Sequence, residues 1–452
     1  MSFGQTLTLT GRGFLANFGV GEENRLDLRV RPTRALKGEI TPPGDKSISH
    51  RAAIFAALAD GISEVTGFLE ADDCRSTLRC LEGLGVEIER RGEGSLRIRG
   101  QGPEGLREPE DVLDAGNSGT TMRLLMGVLA GQPFYSVLTG DRSLRRRPMA
   151  RVADPLRQMG AQIWGREGGN LAPLSIKGGS LRPIDYSLPV ASAQVKSALL
   201  LAGLTAEGET VVREPVPARD HSERLLEFCG VKIKKEDWKI SLWGRQRLRP
   251  FQIHIPGDFS AAAFFLVAAC VHPRAEIVVC NVGLNSTRTG LLTVLTDMGA
   301  EIRVYPEGTS AGEPYGVVSA KTSNLRGTKI GGPLIPRLID EIPVLAVAAA
   351  VAEGQTVIQD AAELKVKESD RIATLAMELR KMGARIETLP DGMILEGGTL
   401  HGAVVDSHGD HRLAMALVVA GLIAEGETVV RGAECMAVSY PGFMSDLEAL
   451  LK

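Results

Sequence analysis

The sequence predicts an α/β protein of two domains, each built from three similar units. Two short phrases alternate along the chain with a period of roughly 73 residues. One reads AEGETVVR at 206–213 and again at 424–431, and the other is typified by LTDMGAEI at 295–302. In addition, PGDKS at 43–47 resembles PGDFS at 256–260, about three periods later. Six units in two sets of three account for the 452 residues.

Each unit has the same predicted order of elements. An alanine- and leucine-rich helix comes first and is expected to end at the glycine of AEG, since glycine favours helix C-termini. A β-branched strand such as Thr210–Arg213 follows. Next comes an amphipathic helix with apolar residues at i, i+3, i+4 and i+7, which ends at the glycine of the second phrase, and then a short strand pair. Solenoid repeats usually have about 20–50 residues, so compact packed units are predicted instead.

The Pro-Gly dipeptides Pro43-Gly44 and Pro256-Gly257 mark predicted domain boundaries. Two crossings at such points would permit hinge closure, although the sequence is equally compatible with two ordinary turns. The segment before the first dipeptide is expected to add a strand to the second domain. The predicted divisions are an N-terminal arm (1–26), ordered or disordered, a first domain (45–255) and a second domain (27–44 plus 256–452).

Composition excludes several classes of protein. Apolar residues make up 44% and charged residues 24%, so wholesale disorder, collagen and coiled coil are excluded. The net charge of −3 and the 4% aromatic content argue against a nucleic-acid surface. Neither a membrane-spanning apolar run nor a signal-peptide pattern is found. Six cysteines without a C-x-x-C pair predict reduced thiols and a cytoplasmic location.

Six segments place polar and basic residues directly before a long apolar helix: 45–59, 117–130, 192–204, 219–229, 367–379 and 409–422. Capping is the simplest interpretation of each hydroxyl or carboxylate there. Lys and Arg are unfavourable near the positive end of a helix dipole unless an anion is bound. The basic residues at these starts are Lys46, Arg51, Arg123, Lys196, Arg219, Lys367, Arg371 and Arg412. Because helix N-termini also bind phosphate, the pattern predicts a site for highly anionic small molecules.

Other motifs carry less weight. The run GDRSLRRRP (140–148) is interpreted as a solvated basic loop from which one arginine could reach a phosphate. HGDH (408–411) has no third ligand, so no metal site is predicted. The chain has no P-loop, no G-x-S-x-G elbow and no cysteine in a plausible nucleophile loop.

Taken together, the motifs resemble the 5-enolpyruvylshikimate-3-phosphate synthase family. They occur in the family's order from Pro43 to Arg412: PGDKSISHRA, GNSGTTMR, RRRPM, SAQVKSALL, RDHSE, NSTR, IDEIP, VKESDR and GDHRLAMA. RDHSE, SAQVK and NSTR resemble the second class of the family, which includes glyphosate-tolerant members. The resemblance implies the enolpyruvyl transferase fold, a two-domain inside-out barrel of six βαβαββ repeats with the active site in the cleft between the domains.

The resemblance also implies a reaction. The 5-hydroxyl of shikimate 3-phosphate attacks C2 of phosphoenolpyruvate while C3 is protonated, and the tetrahedral intermediate then loses phosphate. Each phosphate carries about 1.5 to 2 negative charges near pH 7, so a dense cationic site is needed. Carboxylates are needed for the proton transfers. The resemblance further implies no metal or organic cofactor, glyphosate as an inhibitor, a monomer, and neither nucleic acid nor membrane as a partner.

Site residues follow from the same resemblance. The residues implied to bind shikimate 3-phosphate are Lys46, Ser47, Arg51, Ser192, Gln194, Arg219, Asp340 and Lys367. The residues implied to bind phosphoenolpyruvate are Lys46, Asn117, Gly119, Arg147, Gln194, Arg371 and Arg412. For catalysis, Asp340 is implied to accept the 5-hydroxyl proton and Glu368 to carry the proton for C3, together with Lys46.

Three positions depart from the family pattern. Val438, before SYP, stands where enterobacterial-type members have a lysine. Gly119 stands where tolerant members have alanine, and Leu124 stands where sensitive members often have proline. The open space at Gly119 predicts inhibition by glyphosate, competitive with phosphoenolpyruvate.

Two alternative functions are compatible with parts of the sequence. UDP-N-acetylglucosamine enolpyruvyl transferase shares the six-unit fold, but it uses a loop cysteine that GDRSLRRRP lacks. A non-catalytic repeat scaffold that binds anions is the other alternative. The presence of Asp340, Lys367 and Glu368 argues against it.

Overall fold

The computed structural model describes residues 6–8 and 26–452. They form two compact units. One unit contains Pro43–Pro256 and Thr309–Pro314, and the other contains the described residues up to Pro42, Gly257–Gly308 and Tyr315–Lys452. Within the described part of the chain there are six four-stranded sheets, which agrees with the six units inferred from the repeats.

Three strands precede the first helix: β1 (Thr6–Thr8), β2 (Asp27–Val30) and β3 (Leu36–Ile40). β1 pairs in parallel with β2. The rest of the predicted N-terminal arm, residues 1–5 and 9–25, lies outside the described residues.

The unit around Pro43–Pro256 holds seven helices and twelve strands. Its helices are α1 (Lys46–Leu58), α2 (Asp72–Gly83), α3 (Gly119–Ala130), α4 (Ala150–Gln158), the turn-like α5 (Arg166–Gly169), α6 (Ala193–Gly203) and α7 (His221–Phe228). Its strands are β4 (Asp60–Thr66), β5 (Glu87–Arg90), β6 (Leu96–Gln101), β7 (Leu113–Asp114), β8 (Tyr135–Thr139), β9 (Gln162–Gly165), β10 (Leu171–Lys177), β11 (Asp185–Ser187), β12 (Glu209–Arg213), β13 (Ile233–Glu236), β14 (Lys239–Trp243) and β15 (Gln252–His254).

The three sheets of this unit share one topology. Their strand orders are β15-β4-β6-β5, β7-β8-β10-β9 and β11-β12-β14-β13. Each has three antiparallel strands from one repeat and a parallel edge strand, for example β15 beside β4. The helices α1, α3 and α6 are buried along nearly their whole length, and α3 packs against both α1 and α6. Helices therefore form the core and sheets carry the polar surface.

The other unit continues the chain with seven helices and nine strands. Its helices are α8 (Phe259–Val271), α9 (Gly290–Asp297), α10 (Ile335–Leu338), α11 (Ile342–Val351), α12 (Arg371–Lys381), α13 (His411–Ile423) and α14 (Phe443–Leu450). Its strands are β16 (Ala275–Gly283), β17 (Glu301–Ser310), β18 (Glu313–Lys321), β19 (Lys329–Ile330), β20 (Gln355–Ile358), β21 (Arg385–Leu389), β22 (Gly392–Glu396), β23 (Val404–Asp406) and β24 (Thr428–Arg431). The buried helices α8, α11 and α13 pack against one another.

The N-terminal strands complete two sheets of this unit. Strand orders are β17-β18-β16-β3, β19-β20-β22-β21 and β1-β2-β24-β23. β3 is the parallel edge strand of the first, and β2 lies antiparallel to β24 in the last. The sequence predicted one added strand from the segment before Pro43, whereas the described residues there form three, β1, β2 and β3. β1 and β2 together take the place of the strand pair that the shortened sixth repeat lacks.

Glycines set the ends of the amphipathic helices. The glycine of the second phrase has positive φ in all five complete copies: Gly85, Gly160, Gly230, Gly299 and Gly383. The following amide donates back to the carbonyl five residues earlier, as Val86 N does to Leu81 O at 3.0 Å. This is the Schellman arrangement that favours glycine.

The glycines of the AEG phrase play a different role from the one predicted. The helices end three to five residues earlier, at Leu58, Gly203, Val351 and Ile423. The glycines themselves have positive φ at the entry to the following strand, for example Gly208 at +130°. The prediction that these helices end at glycine is therefore wrong, because the left-handed backbone is needed for the turn into the sheet.

Among the described residues, no helix combines the length and apolar character needed to cross a membrane.

Candidate active site

The start of α1 brings three predicted residues together. Asp45 caps the helix, since its carboxylate accepts a hydrogen bond from Ile48 N at 2.9 Å. Lys46 Nζ lies 3.0 Å from Asp73 Oδ2 and keeps a side-chain exposure of 16%. One turn further on, Arg51 Nη1 donates to Ser47 O at 2.9 Å. Lys46 and Arg51 are therefore held beside the first backbone turn of α1.

The Arg51 guanidinium is buried and held from two further sides. Its Nε donates to Ser222 Oγ and its Nη2 to Ser197 Oγ, both at 2.8 Å. Burial lowers the pKa of Arg51 to about 10, and the nearby Glu223 carboxylate offsets part of that effect. The side chain remains a cation at neutral pH.

The start of α3 is hydrogen-bonded to the arginine-rich loop, residues 140–148. Ser118 caps the helix by accepting from Thr121 N at 3.1 Å. Arg147 Nη2 donates to Asn117 Oδ1 at 2.7 Å. Arg147 is buried, whereas the other arginines of the loop, Arg142, Arg145 and Arg146, are exposed. This distribution agrees with a solvated loop that turns one arginine inward.

A hydrogen-bond chain joins the starts of α3 and α6. Arg123 Nη1 donates to Gln194 Oε1 at 2.7 Å, and Gln194 Nε2 donates to Thr120 Oγ1 at 2.9 Å. Ser192 caps α6, since its hydroxyl accepts from Val195 N at 3.4 Å. A Cβ placed on Gly119 would lie 2.7 Å from Arg123 Nη1 and 3.5 Å from Arg147 Nη1. Gly119 thus lies between two of the cations.

Lys196 does not belong to the anion-binding set that its position predicted. Its side chain is 1% exposed, and Nζ lies 2.8 Å from Glu214 Oε2 and 2.6 Å from Glu223 Oε1. Burial alone would lower the pKa of Lys196, but the two carboxylates more than offset this and raise it. A basic residue at a helix start can therefore be neutralised by protein carboxylates instead of a bound anion. The local sequence does not show whether a bound anion or a protein carboxylate neutralises such a residue.

In the second unit, Asp340 lies among four cationic side chains. Its carboxylate is within 4.0 Å of Lys367 Nζ (3.3 Å), Arg371 Nη1 (3.4 Å), Arg412 Nε (3.9 Å) and Arg288 Nη1 (4.0 Å). Arg412 Nη1 also donates to the backbone carbonyl of Asp340 at 3.3 Å. The Asp340 carboxylate is thus surrounded by cationic side chains of its own unit.

Arg371 is nearly inaccessible, with a side-chain exposure of 2%. Its Nε donates to Asp410 Oδ2 at 2.8 Å and its Nη2 to Glu368 Oε2 at 2.7 Å. Burial alone would lower the pKa of Arg371, but Asp410 and Glu368 raise it. Likewise, burial alone would raise the pKa of Asp410, but the Arg371 guanidinium lowers it. The predicted clamp is thus occupied by protein carboxylates.

Arg288 is the residue of this site to which the sequence assigned no role. Its side chain is 3% exposed, and Nη2 donates to Asp258 Oδ1 at 3.1 Å and Ser260 Oγ at 2.7 Å. Asp258 caps α8 through Ser260 N, as Asp45 caps α1, so the PGDFS motif builds the support for this arginine. The NSTR motif, which ends in Arg288, was the available signal.

The HGDH segment serves hydrogen bonding. Its His408 has φ of +51°, and Nε2 is hydrogen-bonded to the buried Glu378 at 2.8 Å. Asp410 caps α13 by accepting from Arg412 N at 2.9 Å. Within the described ranges, no group of three or more His, Cys, Asp or Glu side chains is arranged to hold a metal ion. Val438 ends the 3₁₀ turn Ala433–Val438 and is half-buried.

The structure thus places the predicted residues in two groups, one in each unit. The first group comes from the starts of α1, α3, α6 and α7 with the arginine-rich loop, and its chemistry is cationic and hydroxylic. The second group combines Asp340 and Glu368 with Lys367, Arg371 and Arg412. Cations of this density suit a polyanionic ligand, and a carboxylate among them is a candidate proton acceptor.

Comparison with known proteins gives one consistent result. The family model described as EPSP synthase (3-phosphoshikimate 1-carboxyvinyltransferase) matches residues 30–447. A 3-phosphoshikimate 1-carboxyvinyltransferase of Desulforamulus reducens is 53% identical over 427 residues, which cover 94% of this chain and 100% of the relative. The corresponding protein of Pelotomaculum thermopropionicum is 56% identical over 426 residues, with coverage of 94% and 98%.

Comparison with solved structures gives the same result as comparison with sequences. A structure of EPSP synthase from Acinetobacter baumannii matches with a TM-score of 0.85 and 46% sequence identity. The match covers 94% of this chain and 98% of that chain. The α/β fold class predicted from the repeats is confirmed.

Proposed function

This chain belongs to the EPSP synthase (3-phosphoshikimate 1-carboxyvinyltransferase) family, and from that premise we propose how its own residues perform the reaction. The enzyme transfers the enolpyruvyl group of phosphoenolpyruvate to the 5-hydroxyl of shikimate 3-phosphate and releases phosphate, a step of the shikimate pathway. The observation that carries the residue-level proposal is the position of Asp340 within 4.0 Å of four cations.

The first group binds mainly shikimate 3-phosphate. Lys46 and Arg51 supply charge, and Ser47, Ser192 and Gln194 supply hydrogen bonds, with Arg219 beside them. Support comes from the helix starts, whose backbone N–H groups and dipoles favour phosphate. The charge of Arg219 lowers the pKa of Arg51, a smaller effect than that of burial, which supports placing the two arginines in one cationic group.

The residues proposed to bind phosphoenolpyruvate are Lys46, Asn117, Gly119, Arg147, Gln194, Arg371 and Arg412. The contact of Arg147 with Asn117 and the position of Gly119 between Arg123 and Arg147 support a compact anion subsite at the start of α3. Arg371 and Arg412 carry planar guanidinium groups suited to bidentate recognition of a carboxylate.

Proton transfers fall to the carboxylates of the second group. Asp340 takes the proton of the 5-hydroxyl as its oxygen bonds to C2, and Glu368, in its protonated form, delivers a proton to C3. When the bond from C2 to the phosphate oxygen breaks, Glu368 takes a proton back from C3 and Asp340 returns its proton to the leaving phosphate. The phosphates and carboxylates of the substrates compete with Asp340 for the same cations.

A phosphate-release assay tests the reaction. Purified protein with phosphoenolpyruvate and shikimate 3-phosphate should release phosphate, and omission of either substrate should abolish release. Replacement of shikimate 3-phosphate by UDP-N-acetylglucosamine should also give no release. Turnover with the sugar nucleotide, or no turnover with either acceptor, would contradict the assignment.

Three finer features complete the proposal. Glyphosate inhibits in competition with phosphoenolpyruvate, since Gly119 has no side chain to narrow the subsite. The enzyme is proposed to be a monomer. It is cytoplasmic, as supported by six cysteines that are all free thiols. The two compact units are taken as the two domains.

A further inference from the structure

Helices α6 and α7 are joined at two consecutive positions. Lys196 and Ser197 follow one another on α6, and Ser222 and Glu223 follow one another on α7. Lys196 Nζ lies 2.6 Å from Glu223 Oε1, and the hydroxyls of Ser197 and Ser222 are 2.7 Å apart. All four side chains are buried. Buried polar groups therefore join the two helices.

The two hydroxyls hold the guanidinium of Arg51. Nε donates to Ser222 and Nη2 to Ser197, each at 2.8 Å, while Nη1 donates to the backbone of Ser47. A planar guanidinium group that is hydrogen-bonded through three nitrogens has one orientation. The serines therefore determine the direction of its remaining N–H groups.

The ion pairs hold a second arginine through its preceding peptide. Glu214 Oε1 accepts from Ala218 N at 3.1 Å, and Lys196 Nζ donates to Ala218 O at 3.4 Å. Ala218 directly precedes Arg219. Within the buried trio of Lys196, Glu214 and Glu223, the first two residues thus hydrogen-bond to both backbone polar groups of Ala218, the residue before Arg219.

The charges of this cluster balance. Lys196 and Arg51 supply two positive charges, and Glu214 and Glu223 supply two negative charges. A buried ion pair often contributes no more stability than apolar side chains of the same volume. An arrangement of this kind is better explained by the geometry it imposes than by stability.

We propose that Ser197 and Ser222, backed by the trio of Lys196, Glu214 and Glu223, are positioning residues for shikimate 3-phosphate. They act through Arg51 and Arg219 and do not contact the substrate. The inference rests on the proposed function of those two arginines. It also gives Lys196 of SAQVK and Glu223 of RDHSE a role that the substrate contacts alone leave unexplained.

The main test is the double variant Ser197→Ala with Ser222→Ala, and each single variant is measured as well in case the double variant folds poorly. The KM for shikimate 3-phosphate should rise by roughly 10- to 100-fold, as expected for removing hydrogen bonds to a buried charge. The KM for phosphoenolpyruvate should change by less than about twofold, since a positioning defect is confined to one substrate. Equal changes in both KM values, or no change in either, would overturn the inference.

Ser136→Ala is the matched control. Ser136 is a buried serine of β8 in the same unit, and its hydroxyl has no hydrogen-bond partner among the described residues. Its replacement should leave both KM values unchanged. At Glu214, Gln keeps an acceptor for Ala218 N whereas Ala does not, so Glu214→Gln should retain more affinity for shikimate 3-phosphate than Glu214→Ala. Equal affinity of the two variants would contradict the role of that acceptor.

Arg51→Lys separates this inference from the function on which it rests. If Arg51→Lys leaves the KM for shikimate 3-phosphate unchanged, the proposed role of Arg51 is wrong. If Arg51→Lys raises it but the serine variants do not, the substrate role stands and the positioning role is wrong. When Arg51 has already been replaced by Lys, replacing the serines should raise the KM for shikimate 3-phosphate only slightly further, because Lys has no planar guanidinium group to orient.

Discussion

Asp340 shows how much of this site depends on charge balance at single side chains. Its carboxylate is close to four cations, and the most buried of these, Arg371, is shared with Glu368 and Asp410. Every cation of the second group thus has a protein carboxylate near it in the absence of substrate. An anionic substrate must compete with these carboxylates, which favours ligands with several negative charges over singly charged ones.

Replacing Asp340 by Asn tests the proton acceptor. Asn keeps the shape and can still accept hydrogen bonds from Lys367, but it cannot take a proton. We expect kcat to fall by roughly 10²–10⁴, the usual range for loss of a general base. Steady-state kinetics with both substrates measure this, and circular dichroism checks the fold. Turnover within a few-fold of the wild-type value would move the role to Glu368 or Lys46.

Replacing Arg412 by Lys tests the carboxylate clamp. Lys retains the charge near Asp340 but has no planar fork for bidentate binding. The KM for phosphoenolpyruvate should therefore rise far more than that for shikimate 3-phosphate. Parallel increases in the two values would show that Arg412 acts on the whole site and not on one substrate.

Among the secondary-structure elements, the starts of α1, α2 and α3 are linked by a buried chain of hydrogen bonds. His50 Nδ1 lies 2.7 Å from Thr77 Oγ1, which lies 2.6 Å from Thr121 Oγ1. Thr121 then donates to Ser118, the cap of α3, at 2.8 Å. The chain connects the helix that carries Lys46 with the helix that begins at Gly119. Its integrity should influence the stability of both.

The link at His50 predicts a pH-dependent stability. Burial lowers the pKa of His50 well below its usual value, and the charges of Lys46 and Arg51 act in the same direction. The unfolded chain therefore binds a proton near pH 6.5 that the folded chain does not. The stability due to neutral His50 is fully present above about pH 6.5 and falls by about 1.4 kcal/mol per pH unit below it, until the folded pKa is reached.

Thermal unfolding of wild type and His50→Gln from pH 7.5 to pH 5 measures this effect. The advantage of wild type over the variant should shrink as the pH falls below about 6.5. Contributions from the other histidines are common to both proteins and cancel in the difference. Parallel curves over the whole range would show that His50 carries no such penalty.

Gly119 predicts the response to glyphosate at the start of α3. A methyl group there would lie 2.7 Å from Arg123 Nη1, which must then shift and disturb its bond to Gln194. Overpacking of this kind costs typically about 1–3 kcal/mol. Glyphosate is longer than phosphoenolpyruvate, so Gly119→Ala should weaken inhibition more than it raises the KM for phosphoenolpyruvate.

Inhibition constants for wild type and Gly119→Ala provide the measurement, with the KM for shikimate 3-phosphate as an internal control. Wild type should be inhibited in competition with phosphoenolpyruvate. A wild-type enzyme already insensitive to glyphosate would show that position 119 is not the controlling feature, and would direct attention to Leu124 one turn further on.

For the molecule as a whole, the backbone segments that begin and end the long first stretch of one compact unit, Pro43–Pro256, are hydrogen-bonded to each other. Asp45 N donates to Pro256 O at 2.8 Å, within one unit. The backbone is crowded at the first crossing, since a Cβ on Gly44 would lie only 1.8 Å from Gly67 O. Glycine is required there by close approach of backbone, not by an unusual φ.

Gly44→Ala should therefore destabilise the protein by about 1–3 kcal/mol, because a backbone carbonyl must move to admit the methyl group. The matched control is Gly398→Ala, where the nearest atom to a new Cβ is 3.8 Å away. Differential scanning calorimetry should show a lower unfolding temperature for the first variant only. Equal unfolding temperatures for both variants would mean that the backbone at Gly44 adjusts without cost.

Features of this protein that depend on local pattern follow from the sequence alone. The repeated phrases indicated six units, since glycine is needed wherever a helix ends in a left-handed residue such as Gly85. Polar residues before apolar runs indicated helix starts, and Asp45, Ser118 and Asp410 do cap them. The motifs also indicated the family and its reaction, which the comparisons confirm.

The degree to which each cation is neutralised within the protein depends on the tertiary structure. Lys46 and Lys196 both lie at helix starts, yet Lys46 pairs with Asp73 and stays partly exposed, while Lys196 is buried between two carboxylates. The structure alone also showed that β2 completes the sixth sheet. The physical reason is the same in both cases: burial and charge compensation depend on partners far away in sequence, such as Ser222 for Arg51, which lies 171 residues earlier.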